Sequence, residues 1–225
     1  MNIEKEKKIQ TINIMIDIET GGLVPGSSIF SIGACYFALS AKGPYLPESL
    51  AHSFYSVIDR ASCKEVGLAE YAETMEWWGK QAEEARMSTL YGRVPVKTAL
   101  TDLATYITEA REAGYKVLLW CKQNNFDFSL LEAAYKACDI DLPWTFRELR
   151  DCRTVFEMFS CYFAAGTEDA LTKGITKHNA LDDAVHQARK MEHLLKWLAY
   201  DEVFESIYLL LLSDEDEEEG DLYEK

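Results

Sequence analysis

The chain has 225 residues, 48% of them hydrophobic and 27% charged, and a formal net charge of -15. This balance excludes whole-chain disorder and fits one globular domain with appendages, long enough to build a core without disulfides. The charge is uneven: eleven acids and one lysine lie between Asp201 and Lys225, so the body is only mildly acidic, which argues against a sequence-independent duplex coater but not against an enzyme that grips phosphates through metal ions.

In chain order, residues 1–10 are charged, lack an apolar face and read as a loose arm. Ile12–Ile18 is apolar and β-branched and stops at Gly21-Gly22, so a buried strand is expected. Ile29–Leu39 and Ser53–Ile58 complete an antiparallel meander. The period then becomes helical: Thr74–Leu90 with Thr74 as N-cap, and Pro95–Ala113 with Leu100, Leu103 and Ile107 on one face. Lys116–Cys121 is a short strand, followed by helices at Asp127–Cys138 and Asp151–Ala165, a polar mobile loop at Gly166–Lys177, and a long helical tract over Asn179–Leu212. Ser213–Lys225 reads as an acidic disordered tail, leaving 11–212 as the folded domain. The expected architecture is α/β or α+β: a mixed central sheet with an antiparallel meander, flanked by helices. No apolar run approaches the ~18 residues of a membrane span, and the N-terminal segment lacks the apolar stretch of a signal peptide. A cytoplasmic protein with no membrane partner is expected, its six cysteines reduced and structural, since none has CxxC or zinc-ligand spacing.

Three elements carry candidate chemistry. Asp17 and Glu19 stand two apart on the first strand and so share a face. Two like charges at the end of a core strand call for a cation, and Mg²⁺ favours carboxylate oxygens; taken alone, a solvent-facing strand end explains the pair equally well. Asp127 follows the strand Lys116–Cys121 and, alone, would be an ordinary helix N-cap. His178 and Asp183 open the last helix. A histidine beside carboxylates can exchange a proton near neutral pH; a surface histidine with acids favoured by the helix dipole is the plain alternative, and Asp182 fits that alternative.

In this order the elements resemble the DEDDh group of 3′–5′ exonucleases. MIDIET, SIFSIGACYF, TMEWWGKQAEEAR, NNFDFSLLEAAY, RDCRT and HNALDDA look like one branch of it, which contains the phage exonuclease A type, the N-terminal part of exodeoxyribonuclease VIII and a mycobacterial exoribonuclease. The matching segments run from about Asn13 to about Leu198. The resemblance implies an RNase H-like fold and hydrolysis of single-stranded nucleic acid from its 3′ end to nucleoside 5′-monophosphates. It further implies two Mg²⁺ or Mn²⁺ ions held by Asp17, Glu19, Asp127 and Asp183, with His178 as general base. Length and single-domain layout lean the substrate towards DNA, with RNA the alternative, and leave room for a homodimer. A catalytically silent nucleic-acid-binding module and an acidic interaction protein are the competing classes.

Around this set, Trp77 and Trp78 point about 100° apart on a helix. One is expected in the core and the other in a groove, with Trp78 the candidate base-stacking residue. Phe126 is a candidate base contact, core packing being the plain alternative for it and for Phe128. Arg150 and Arg153 are candidate phosphate contacts, against a structural ion pair of Arg150 or Arg153 with Asp151. Lys173 and Lys177 suit a solvated loop, and His186 an outer position beside Asp183.

Overall fold

The computed structural model describes residues 10–39, 53–163 and 170–198. The expected arm over 1–9, part of the expected polar loop (164–169), the expected helical tract past 198 and the expected acidic tail lie outside the described residues. Strands β1 (Thr11–Thr20), β2 (Ile29–Phe37) and β3 (Ser53–Val57) come first. Helices α1 (Arg60–Glu65), α2 (Ala72–Gly79), α3 (Glu83–Leu90) and α4 (Val96–Glu112) follow. Then come β4 (Lys116–Cys121), α5 (Asp127–Ala137), β5 (Leu149–Asp151), α6 (Cys152–Met158) and α7 (Ala180–Leu198).

The strands form one five-stranded sheet in the order β3-β2-β1-β4-β5. The meander β1-β2-β3 is antiparallel, whereas β4 and β5 add in parallel. The mixed sheet expected from the sequence is present. Alternation along β1 sorts its side chains. Ile12, Ile14, Ile16 and Ile18 enter the core formed with Leu100, Leu103 and Ile107 of α4 and Leu130 and Leu131 of α5. Met15 faces the other side with Phe37, Trp120 and the Ala184, Ala188 and Met191 face of α7. Burying one such aliphatic side chain contributes ~1.5–3 kcal/mol, and helices on both faces explain why β2 is buried throughout.

The face of β1 under α7 is where charge collects. Asn13, Met15, Asp17 and Glu19 share it by period, and Asn13 Oδ1 accepts from Trp120 Nε1 at 2.9 Å. Opposite Asp17 in the ladder stands Gly33. A Cβ on Gly33 would lie 2.2 Å from the Ala180 carbonyl carbon and the Leu181 nitrogen. Only glycine lets the start of α7 settle on β2 at this depth, beside Asp17.

Some boundaries differ from the expectation. The single helix Thr74–Leu90 is two, α2 and α3. Gly79, a poor helix former, ends the first, and its N-cap is Tyr71 rather than Thr74. The six-residue α1, capped by Asp59 Oδ1 accepting from Ala61 N at 3.0 Å, is too short for a helical period to show, and β5 has only three residues. α6 ends at Met158, short of Ala165, with a 3-10 turn at Ser160–Tyr162.

Candidate active site

Parallel pairing of β1 and β4 brings the C-terminal end of β1 beside the loop after β4, an edge of the sheet at which ligands commonly bind. Asp17 and Glu19 come from β1, Asp127 from the first turn of α5, and Asp183 from the first turn of α7. All four, with His178, line one cleft of about 640 Å³. Asp127 is the first residue inside α5 rather than its N-cap, which is Phe126. Its loop is fixed from β5: Asp151 accepts from Asn124 N at 3.1 Å and from Thr154 N at 3.2 Å, tying the approach to α5 to the start of α6.

The acids are costly where they stand. Burial pushes the Asp17 carboxyl well above its ordinary range, and the charges of Asp127, Glu19 and Asp183 add to this, against a hydrogen bond from Gln187. Burial, then Asp183 and Asp127, raise Glu19 to about 8. Burial raises Asp127 to about 7, opposed by hydrogen bonds from the Cys121 thiol and from backbone. Asp183 is raised by burial and relieved by the His178 backbone N–H, which donates to its Oδ2 at 3.0 Å. Buried carboxylates that repel one another need a counter-ion to ionise together. The donor set fits a hard divalent cation: one ligand atom each from Glu19, His178 and Asp183 lie within 4.8 Å of one another.

His178 sits two residues before α7 with φ 63°, a left-handed conformation that costs a non-glycine residue roughly 1–2 kcal/mol. Its ring stands edge-on to Trp77, with centroids 4.9 Å apart. Asn179 caps α7, its Oδ1 accepting from Leu181 N at 3.1 Å and Asp182 N at 3.2 Å. Asp182 accepts from Thr176 N at 2.9 Å, a structural use consistent with the plain reading of it.

The candidate substrate contacts divide. Phe126 and Arg153 line the cleft. Trp78 is largely buried, packs against Phe30 and donates from Nε1 to Thr20 O at 2.9 Å. It forms the inner wall of an adjoining pocket of about 400 Å³, while its neighbour Trp77, 42% exposed, is the tryptophan at the surface. One indole therefore enters the core and the other stays at the surface, the hydrogen bond to Thr20 taking the Trp78 ring inward while one side of it still lines the pocket. Arg150 donates to the carbonyls of Arg147 at 2.7 Å and Leu149 at 2.9 Å and is not among the residues lining the cleft. Phe128 is core. Lys177 and His186 line the cleft; Lys173 does not.

Several residues at the cleft had no place in the expectation, Gln187, Lys122 and Leu23 among them. Gln187, 5% exposed, donates from Nε2 to Asp17 Oδ1 at 2.7 Å; its spacing of four from Asp183 on one helix was the available signal. Lys122 ends β4's approach to the site, and Leu23, 72% exposed, bridges the cleft and the adjoining pocket.

Residues 12–195 match the family described as the 3′–5′ exoribonuclease Rv2179c-like domain. The chain belongs to this family. That places it among 3′–5′ exonucleases. No curated protein sequence matches it. Among the solved structures that share the fold are two nucleases. The cell-death related nuclease 4 (CRN-4) superposes with a TM-score of 0.53 at 11% identity, covering 85% of this chain and 65% of that one. The chain thus spans about two thirds of that nuclease's length. The nuclease domain of 3′hExo, a DEDDh family member bound to rAMP, gives a TM-score of 0.51 at 11% identity, covering 86% and 94%. These likenesses agree with an RNase H-like exonuclease fold. Among the described residues, no helix is long and apolar enough to cross a membrane.

Proposed function

We propose that the cleft hydrolyses the terminal phosphodiester of single-stranded RNA at its 3′ end and releases nucleoside 5′-monophosphates. The observation that carries this reading is the convergence of four carboxylates, Asp17 and Glu19 raised by burial and by the neighbouring acids and Asp127 and Asp183 by burial, on a cleft that also holds His178. The matched family is described by an exoribonuclease, which favours ribose over the deoxyribose suggested by length and layout.

Asp17, Glu19, Asp127 and Asp183 would hold two divalent ions, Mg²⁺ or Mn²⁺. Bound there, such ions supply charge stabilisation at the phosphodiester undergoing displacement. His178 accepts a proton at its imidazole from the attacking water as the new O–P bond forms and the bond to the 3′ oxygen breaks. Gln187 orients Asp17. Lys122, Arg153 and Lys177, all exposed at the cleft rim, meet the phosphates of the strand. Phe126, Leu23 and Trp77 line the adjoining pocket, an apolar wall suited to a nucleobase face.

The test is digestion of matched RNA and DNA oligonucleotides, each with a free or blocked 3′ end, in Mn²⁺. This reading expects RNA with a free 3′ end to be shortened to mononucleotides. Preferential digestion of DNA would reverse the sugar assignment, and cleavage of blocked ends at internal sites would reject the exonuclease reading.

A further inference from the structure

His178 is the one site residue whose backbone is left-handed, and both peptide groups around it are held by side chains from elsewhere. Its N–H donates to Asp183 Oδ2 at 3.0 Å. Its carbonyl lies 3.1 Å from Ser88 Oγ on α3, whose single proton is shared with the Ala85 carbonyl at 2.7 Å. Tyr55 of β3 joins the same point: its hydroxyl donates to Ser88 O at 3.2 Å and accepts from Asn179 Nδ2 at 3.2 Å. The other end of that Asn179 amide caps α7. A strand, a helix and the first turn of α7 therefore meet one residue from His178, through neutral polar groups alone.

We propose that Ser88, Tyr55 and Asn179 form a latch that holds His178 in its left-handed conformation with the imidazole at the cleft, making Ser88 and Tyr55 positioning residues for the hydrolysis. Without the latch the sterically preferred backbone of a histidine is right-handed or extended, and either would carry the ring away from Glu19 and Asp183. The two residues act only through His178. Neither lines the cleft, so their contribution is to geometry, and displacement of a reacting group by about 1 Å can cost ~100-fold in rate.

The inference rests on the reading of His178 as the proton acceptor, and the experiment separates the two. kcat and KM are measured on a single-stranded RNA oligonucleotide in Mn²⁺ for wild type, Ser88→Ala, Ser88→Thr, Tyr55→Phe, His178→Ala and the double variant Ser88→Ala/His178→Ala, with Tm for each. The expected result is a kcat loss of roughly 10–100-fold in Ser88→Ala, with little change in KM and recovery in Ser88→Thr, which keeps the hydroxyl. In the His178→Ala background, Ser88→Ala should cost nothing further. Should Ser88→Ala be unfolded, Tyr55→Phe, which removes only a hydroxyl, carries the same cycle with His178→Ala. A wild-type kcat in Ser88→Ala and Tyr55→Phe, or an equal fold-loss with and without His178, overturns the latch while leaving His178 in place. A wild-type rate in His178→Ala overturns the functional reading, and the latch with it.

Discussion

Gln187 Nε2 donates to Asp17 Oδ1 at 2.7 Å, joining the second turn of α7 to the carboxylate nearest the sheet's centre. The Gln187 amide is itself enclosed, with Cys152 Sγ 3.9 Å from its Oε1. An orienting donor of this kind typically accounts for about 10–100-fold in metal affinity or rate. Gln187→Ala should lose that much in Mn²⁺ affinity by calorimetric titration while the fold persists. Unchanged affinity would make Gln187 a packing residue only.

The raised carboxyls predict how stability depends on pH in the metal-free protein. Glu19 moves from 4.5 to about 8 and Asp127 from 3.8 to about 7. In that interval the unfolded chain has released protons that the folded chain retains. The contribution of these groups to stability is therefore full below their unfolded pKa values and is lost as pH rises towards 8, each unit of difference corresponding to ~1.4 kcal/mol. Urea unfolding in EDTA should give a falling midpoint between pH 5 and 8 relative to an Asp17→Asn/Glu19→Gln/Asp127→Asn chain, and Mn²⁺ should restore it most at the alkaline end. A midpoint that rises in parallel in both chains would contradict the burial of these charges.

Asp17→Asn removes one member of the repelling set. Without metal it should raise Tm by about 2–4 °C, the response of a domain of this size to ~1 kcal/mol. Hydrolysis should fall to background. A variant both less stable and fully active would show that Asp17 serves the fold and not the reaction.

Gly33→Ala places a methyl group 2.2 Å from the backbone of Ala180 and Leu181. Backbone cannot swing aside as a flexible side chain does, so α7 must lift from β2, at a cost at or above the ~1–3 kcal/mol of ordinary overpacking. Asp183 and Gln187 move with α7. Thermal melting and Mn²⁺ titration should both show losses; a wild-type Tm would mean that the helix start is free to shift.

Much of this was legible in the sequence because two periods are robust. The alternation of MIDIET put Asp17 and Glu19 on one face, and the β4 strand and α5 helix placed Asp127 at a strand end. What escaped depended on contacts across the fold. The neighbouring indoles Trp77 and Trp78 are equivalent in sequence, and only the carbonyl of Thr20, 58 residues away, decides which turns inward. Arg150 sits in a segment that reads as phosphate-binding, yet its guanidinium caps its own turn. Gln187 and Ser88 are chemically ordinary until α7 and α3 bring them to Asp17 and His178.

The most direct test of the acid cluster is the release of labelled nucleoside 5′-monophosphate from a 3′-labelled single-stranded RNA, followed in Mn²⁺ and in excess EDTA for wild type and Asp127→Asn. The account predicts stepwise release by wild type in Mn²⁺, none in EDTA, and background rates for Asp127→Asn in both. Turnover by wild type in excess EDTA, or an Asp127→Asn chain as fast as wild type, would contradict it.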